Sequence, residues 1–142
     1  MLVSTKGRYA LRVMVDLAEH QAAGRIPLKE IAARQGISEK YLENILATLV
    51  RANMLSGMRG KGGGYMMGKD PAEVRAGDIL RAVEGSTAPV ACDGIDNSCA
   101  RSDLCSTVKF WRGLDDVIEK YVDGVTLADL AAVPEINFDI KL

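Results

Sequence analysis

Residues 28–53 constrain the fold of this chain more than any other stretch. Leu28-Lys29-Glu30-Ile31-Ala32-Ala33-Arg34-Gln35 reads as a short helix with Leu28, Ile31 and Ala32 turned inward. Pro27 suits its start, because the N–H that proline lacks has no partner in a first turn. Gly36 ends it, being free to take a positive φ. Ile37 is expected to point back into the core, and Ser38 to cap a longer helix running to about Asn53. That helix carries Tyr41, Leu42, Ile45, Leu46, Leu49 and Val50 on one broad apolar face. Short helix, glycine turn, capped longer helix is the pattern of a helix-turn-helix, whose second helix offers its N-terminal end to a DNA major groove.

The flanking segments fit around this unit. Ser4 or Thr5 can cap a first helix to roughly Ala22, with Tyr9, Ala10, Val13, Met14, Leu17 and Ala18 at three- and four-residue steps. Two short extended segments are expected near Leu55–Arg59 and Tyr65–Gly68. They flank Gly60-Lys61-Gly62-Gly63-Gly64, a turn. A further helix is expected over Ala76–Glu84, then an irregular stretch from Gly85 to Asp103. A long amphipathic helix follows from about Ser102 or Leu104 to Asp123, with Leu104, Val108, Trp111, Leu114, Val117, Ile118, Tyr121 and Val122 apolar. Thr126-Leu127-Ala128-Asp129 reads as a capping box with Asp in the Glu/Gln place, opening a short last helix. The tail after Pro134 has no clear reading. The fold class is therefore mainly α: a winged helix-turn-helix with a two-stranded wing, plus a long C-terminal helix.

In the expected DNA-reading surface, Ser38, Glu39, Lys40, Glu43 and Asn44 are the polar residues between the apolar ones. Glu43 can accept from cytosine N4, Asn44 can pair with adenine, and the Tyr41 hydroxyl can cover a phosphate. The alternative is a solvated helix face. In the hairpin, Arg59 and Lys61 flank Gly60, where backbone can approach a phosphate closely. An arginine there can enter a narrow minor groove, where negative potential is enhanced. A nucleotide-binding loop fails on detail, since Gly60-Lys61 is followed by Gly62 rather than Ser or Thr.

Charge supports this division. The net charge is −1, but residues up to Lys69 hold 11 basic and 5 acidic side chains, and the remainder holds 7 and 14. A basic front joined to an acidic rear suits a chain that meets a polyanion with its front alone. Hydrophobic residues at 48 % and charged residues at 26 % can support one packed domain with an appended element. No apolar run approaches the ~20 residues that span a bilayer, and the start lacks an apolar signal region. A cytoplasmic protein with reduced thiols is the expectation.

Those thiols are Cys92, Cys99 and Cys105, the only cysteines, with six and five residues in the gaps. Three thiolates within fourteen positions suit an iron–sulfur cluster, zinc or Cu(I). Most clusters take four ligands, and Asp93, Asp96, Asp103, Ser106 and Thr107 lie nearby for the fourth. A two-thiol redox switch is the non-metal alternative. Zinc lacks its usual paired spacing here. An enzyme is not expected: no nucleophile–base–orienter set is visible, and His20 is the single histidine. An electron-transfer protein would need neither a basic front nor a wing.

The chain resembles the IscR-type bacterial winged-helix transcription regulators, with their relatives NsrR and CymR. The resemblance is carried by Ser4-Thr5-Lys6-Gly7-Arg8-Tyr9-Ala10, Gly36-Ile37-Ser38 with Tyr41-Leu42-Glu43, and Arg59-Gly60-Lys61-Gly62-Gly63-Gly64-Tyr65. Gly77-Asp78-Ile79, Trp111-Arg112 and Thr126-Leu127-Ala128-Asp129-Leu130 add to it. It implies a homodimeric regulator, a repressor among the expected roles, binding a pseudo-palindromic operator in double-stranded DNA, with no membrane. It implies a [2Fe–2S] or [4Fe–4S] cluster on Cys92, Cys99 and Cys105, Glu43 as specificity residue and Arg59 as minor-groove residue. The organisation it implies is a DNA-binding domain over 1–84 (helix-turn-helix about 28–51, wing about 55–68) and a cluster loop over 85–103. A dimerisation helix over 104–123 and a short helix and tail over 124–142 complete it. Two departures stand out: the first cysteine gap has six residues instead of five, and Val108 stands where IscR itself has a histidine. Relatives that use an N-terminal carboxylate have an acid where this chain has Arg8. CymR-like members lack the cluster, so a thiol-based redox or cysteine-metabolism regulator is the alternative function, with a zinc-stabilised interaction module behind it.

Overall fold

A computed structural model describes residues 3–90 and 104–131. In chain order its elements are α1 (Thr5–Glu19), α2 (Leu28–Gln35), α3 (Glu39–Arg51), β1 (Leu55–Met58), β2 (Gly64–Met67), α4 (Ala76–Glu84), α5 (Val108–Gly124) and α6 (Leu127–Ala131). Short 3-10 turns at Gln21–Ala23 and Pro71–Glu73 sit between them.

The amphipathic patterns become one core. Ala10, Val13, Met14 and Leu17 of α1, Ile31 of α2, and Leu42, Ile45, Leu46 and Leu49 of α3 are fully buried together. Each large side chain withdrawn this way contributes about 1.5–3 kcal/mol. Ile79 of α4 and Leu127 of α6 are buried in the same cluster, so the C-terminal helix closes the core of the N-terminal half. It is held there by backbone: Ala76 donates to the Val125 carbonyl at 2.9 Å, and Leu127 to Val74 at 2.7 Å. The reciprocal Thr126–Asp129 capping box forms, with the Thr126 N–H on the Asp129 carboxylate at 2.9 Å and the Asp129 N–H on Thr126 Oγ1 at 3.1 Å.

Three boundaries differ from the sequence expectation. α1 stops at Glu19, because the His20 N–H closes on the Asp16 carbonyl and the chain tightens into the 3-10 turn at Gln21–Ala23. α3 stops at Arg51, where Asn53 takes a positive φ of 61°. α5 begins at Val108 rather than near Leu104, which lies outside the helix and is 89 % exposed. No side chain caps that start. An apolar Leu104 at helical spacing therefore marks nothing buried, since spacing records a face and not what covers it.

The strands pair antiparallel, Leu55 with Met67 through Met58 with Gly64. An isolated hairpin of this size is marginal in water. Here a third segment joins it: Ile26 donates to the Tyr65 carbonyl at 2.8 Å and accepts from the Tyr65 N–H at 2.9 Å. Gly64, with φ +143°, permits this. A Cβ there would stand 2.4 Å from the Ile26 carbonyl oxygen.

Candidate nucleic-acid interface and cysteine segment

The helix-turn-helix is built as the residues dictate. Gly36 takes the left-handed conformation (φ 64°, ψ 37°), and its N–H and that of Ile37 both close on the Ala32 carbonyl. Ile37 then turns inward and is buried. Ser38 Oγ accepts from the Tyr41 N–H at 3.3 Å and starts α3. With Leu42, Ile45, Leu46 and Leu49 beneath, Ser38, Glu39, Lys40, Glu43 and Asn44 are all exposed. Tyr41 is placed differently from the others. It is half-buried, its ring edge-on to Tyr9 at 6.0 Å between centroids, with Arg12 over the far partner at 5.3 Å. Its ring is thus held by packing against α1.

A buried carboxylate, which the sequence reading passed over, locks α2 to α1. Asp16 is 3 % exposed and receives Arg34 Nη2 on Oδ1 at 2.6 Å, Arg34 Nε on Oδ2 at 2.9 Å and Gln35 Nε2 on Oδ2 at 2.7 Å. Burial alone would raise its pKa. The hydrogen bonds from Arg34 and Gln35 and the guanidinium charge outweigh burial and hold it below the usual carboxylate range. The same bond raises the Arg34 pKa, so the pair is ionised throughout the working range. Its sequence signal was an acid beside the apolar stripe of α1, with an arginine closing the next helix.

The wing carries Arg59, Gly60 and Lys61 at its exposed tip. Its base lies against α3, where a Cβ on Gly57 would be 3.6 Å from Val50 Cγ2. Groove-helix candidates and wing tip are thus carried on elements packed directly together.

Of the cysteines, Cys92 and Cys99 lie outside the described residues. Cys105 is half-buried just before α5, its Sγ 3.2 Å from Thr107 Oγ1. The Thr107 hydroxyl and backbone N–H, with that of Val108, lower its thiol pKa. A thiolate is the form that ligates metal. Among the described residues no group of three His, Cys, Asp or Glu gathers around a single point. Val108 is half-buried on α5, and Arg8 hydrogen-bonds Thr5 Oγ1 at 3.2 Å on α1.

α5 is fastened to α4 through Arg81. Its Nη2 reaches Asp123 at 2.5 Å and Asp78 at 3.3 Å, and its Nη1 reaches Glu119 at 3.0 Å. Thr87 hydrogen-bonds the other Glu119 oxygen, and Arg75 the Asp123 carbonyl. The opposite side of α5 is bare: Phe110 is 64 %, Leu114 36 %, Val117 64 % and Tyr121 72 % exposed. Their four-three-four spacing is that of a coiled-coil seam. Phe110 was missed in the sequence because the inward stripe through Trp111 sits beside it.

A family model described as Rrf2, iron-dependent transcriptional regulator, matches residues 3–133. The HTH-type transcriptional regulator IscR of Serratia proteamaculans is 39 % identical over 130 residues, covering 92 % of this chain and 79 % of its own. Among solved structures, CymR, the global cysteine regulator of B. subtilis, superposes with a TM-score of 0.78 at 34 % identity, over 95 % of this chain and 99 % of its own. T. potens IscR gives 0.76 at 37 %, over 95 % and 89 %. Among the described residues no helix is long and apolar enough to cross a membrane.

Proposed function

This chain belongs to the Rrf2 family and is a DNA-binding transcription regulator, and we propose that it reads its operator with the N-terminal face of α3 and the wing tip. The observation that carries this is the exposure of Ser38, Lys40, Glu43 and Asn44 directly above a fully buried apolar face, beside a wing ending in Arg59-Gly60-Lys61. Glu43 and Asn44 are suited to base edges, and Arg59 and Lys61 to a minor groove and its phosphates. Tyr41, its ring braced on Tyr9, is suited to cover a phosphate with its hydroxyl. Replacing Arg59 by Ala is expected to cost about 1–3 kcal/mol of specific binding. Unchanged operator affinity in that variant would remove the wing from the interface.

We propose further that the active form is a homodimer on a pseudo-palindromic site, joined through the Phe110, Leu114, Val117 and Tyr121 seam. A row of apolar side chains at this spacing needs a partner to leave water, and a second copy supplies the same row.

Cys92, Cys99 and Cys105 are proposed to hold an iron–sulfur cluster, [2Fe–2S] or [4Fe–4S], which when bound supplies iron that a cellular signal can alter or remove. Support comes from the soft donor set and from the lowered thiol pKa at Cys105. The cysteine-bearing segment joins α4 to α5 in the chain, so a cluster bound on it would bias how α5 sits on Arg81. Regulation at the DNA is proposed to follow from that bias. Changing any one cysteine to Ala is expected to abolish visible colour in anaerobically purified protein. Equal colour in all three variants would remove the cluster from these cysteines, and a colourless parent protein would favour a thiol-only regulator of the CymR kind.

A further inference from the structure

Arg25 lies in none of the segments assigned to DNA contact, yet it touches the wing. It is half-buried in the α1–α2 connection, and its guanidinium spans 31 residues to reach one residue of β1. Nη1 donates to the Ser56 carbonyl and Nη2 to Ser56 Oγ, both at 3.2 Å. The next residue, Ile26, exchanges two backbone hydrogen bonds with Tyr65 of β2. Two consecutive residues therefore grip both wing strands at the base, one through its side chain and one through its backbone. We infer that Arg25 is a positioning residue for DNA recognition, setting the angle at which the wing presents Arg59.

Arg25 acts on the wing by leverage. Arg59 is three residues beyond Ser56, about 10 Å along an extended strand. A tilt of about 10° at the base moves the tip by about 2 Å, several times the ~0.5 Å range over which a hydrogen bond keeps its strength. The backbone bridge at Ile26 fixes β2 but leaves β1 to follow through its ladder alone. The planar fork of arginine, with two parallel donors on two acceptors of one residue, resists that tilt in a way that a single-point contact does not.

This rests on the wing reading above, and the test separates the two. Binding is measured on the duplex that the parent chain selects from a random-sequence pool, and on an unrelated duplex. Arg25→Ala is expected to weaken the selected duplex by about tenfold, with little change on the unrelated one. Arg25→Lys, which can satisfy one acceptor, is expected to fall between. In an Arg59→Ala background, Arg25→Ala should cost less than about twofold, because its effect is routed through Arg59. Full affinity in Arg25→Ala overturns the inference. So does an equal loss with and without Arg59, or a salt-dependence slope lowered by about one in both backgrounds, which marks a direct phosphate contact. If Arg59→Ala alone costs nothing, the wing reading itself falls and takes this inference with it. A melting temperature within a few degrees of the parent excludes a merely unfolded variant.

Discussion

Asp16→Asn tests the joint between the first helix and the helix-turn-helix with the smallest change of shape. The carboxylate is 3 % exposed and takes three charged or amide hydrogen bonds from Arg34 and Gln35. Asparagine keeps one acceptor oxygen and turns an NH2 toward a donor, so at least one bond is lost and one donor is left facing another. Removing one partner of a fully buried pair costs about 3–5 kcal/mol. The Arg34 side chain, however, is 27 % exposed and keeps Glu30 as a second partner at 2.8 Å. Solvent screening and that remaining bond reduce the expected loss to about 2 kcal/mol at pH 7. That corresponds to a fall of roughly 5–10 °C in melting temperature for a chain of this size.

The pH dependence sharpens this test. The folded-state pKa of Asp16 is depressed, so its contribution is fully present above the unfolded value near 4 and is lost as pH falls through the folded one. Urea unfolding of parent and variant is expected to show a gap at pH 7 that narrows steadily below about pH 4. Equal stabilities at pH 7, or a gap that does not change between pH 7 and pH 3, would refute the assignment of Asp16 as an ionised anchor.

Three further perturbations address the turn, the wing and the seam. Gly36→Ala meets nothing within 4 Å but forces alanine to φ 64°, so thermal melting should register a loss of about 1–2 kcal/mol and no more. Gly64→Ala places a Cβ 2.4 Å from the Ile26 carbonyl oxygen, and duplex affinity should drop more than about tenfold as the wing detaches; retained affinity would mean that the hairpin is not read by DNA. Val117→Glu puts a charge into the exposed stripe of α5 and should yield monomers in sedimentation equilibrium at micromolar concentration; persistent dimers would move the interface elsewhere.

Much of the helix-turn-helix was legible because its signals are local. Gly36 ends α2 in a left-handed conformation, Ser38 caps α3, and Thr126 and Asp129 cap each other, all set by residues within a few positions. The apolar face of α3 was likewise visible, since 3.6-residue periodicity is written in the chain. Tyr41 was less so. That its ring packs edge-on to Tyr9 depends on how α1 lies across α3. Phe110 and Leu104 show the same limit from two sides: both are exposed, but one belongs to an ordered apolar row and the other precedes the helix.

Local pattern, then, dictated the elements: where helices begin and end, where glycine must turn, and which side chains prefer to leave water. Only folding brought Asp16 to Arg34, Arg25 to Ser56 and Arg81 to Asp123, because each joins segments 18 to 42 residues apart. Strong ionic and hydrogen-bonded contacts act over a few ångströms. A linear sequence carries the groups that make them but not the distances, which exist once the core has set the helices against each other.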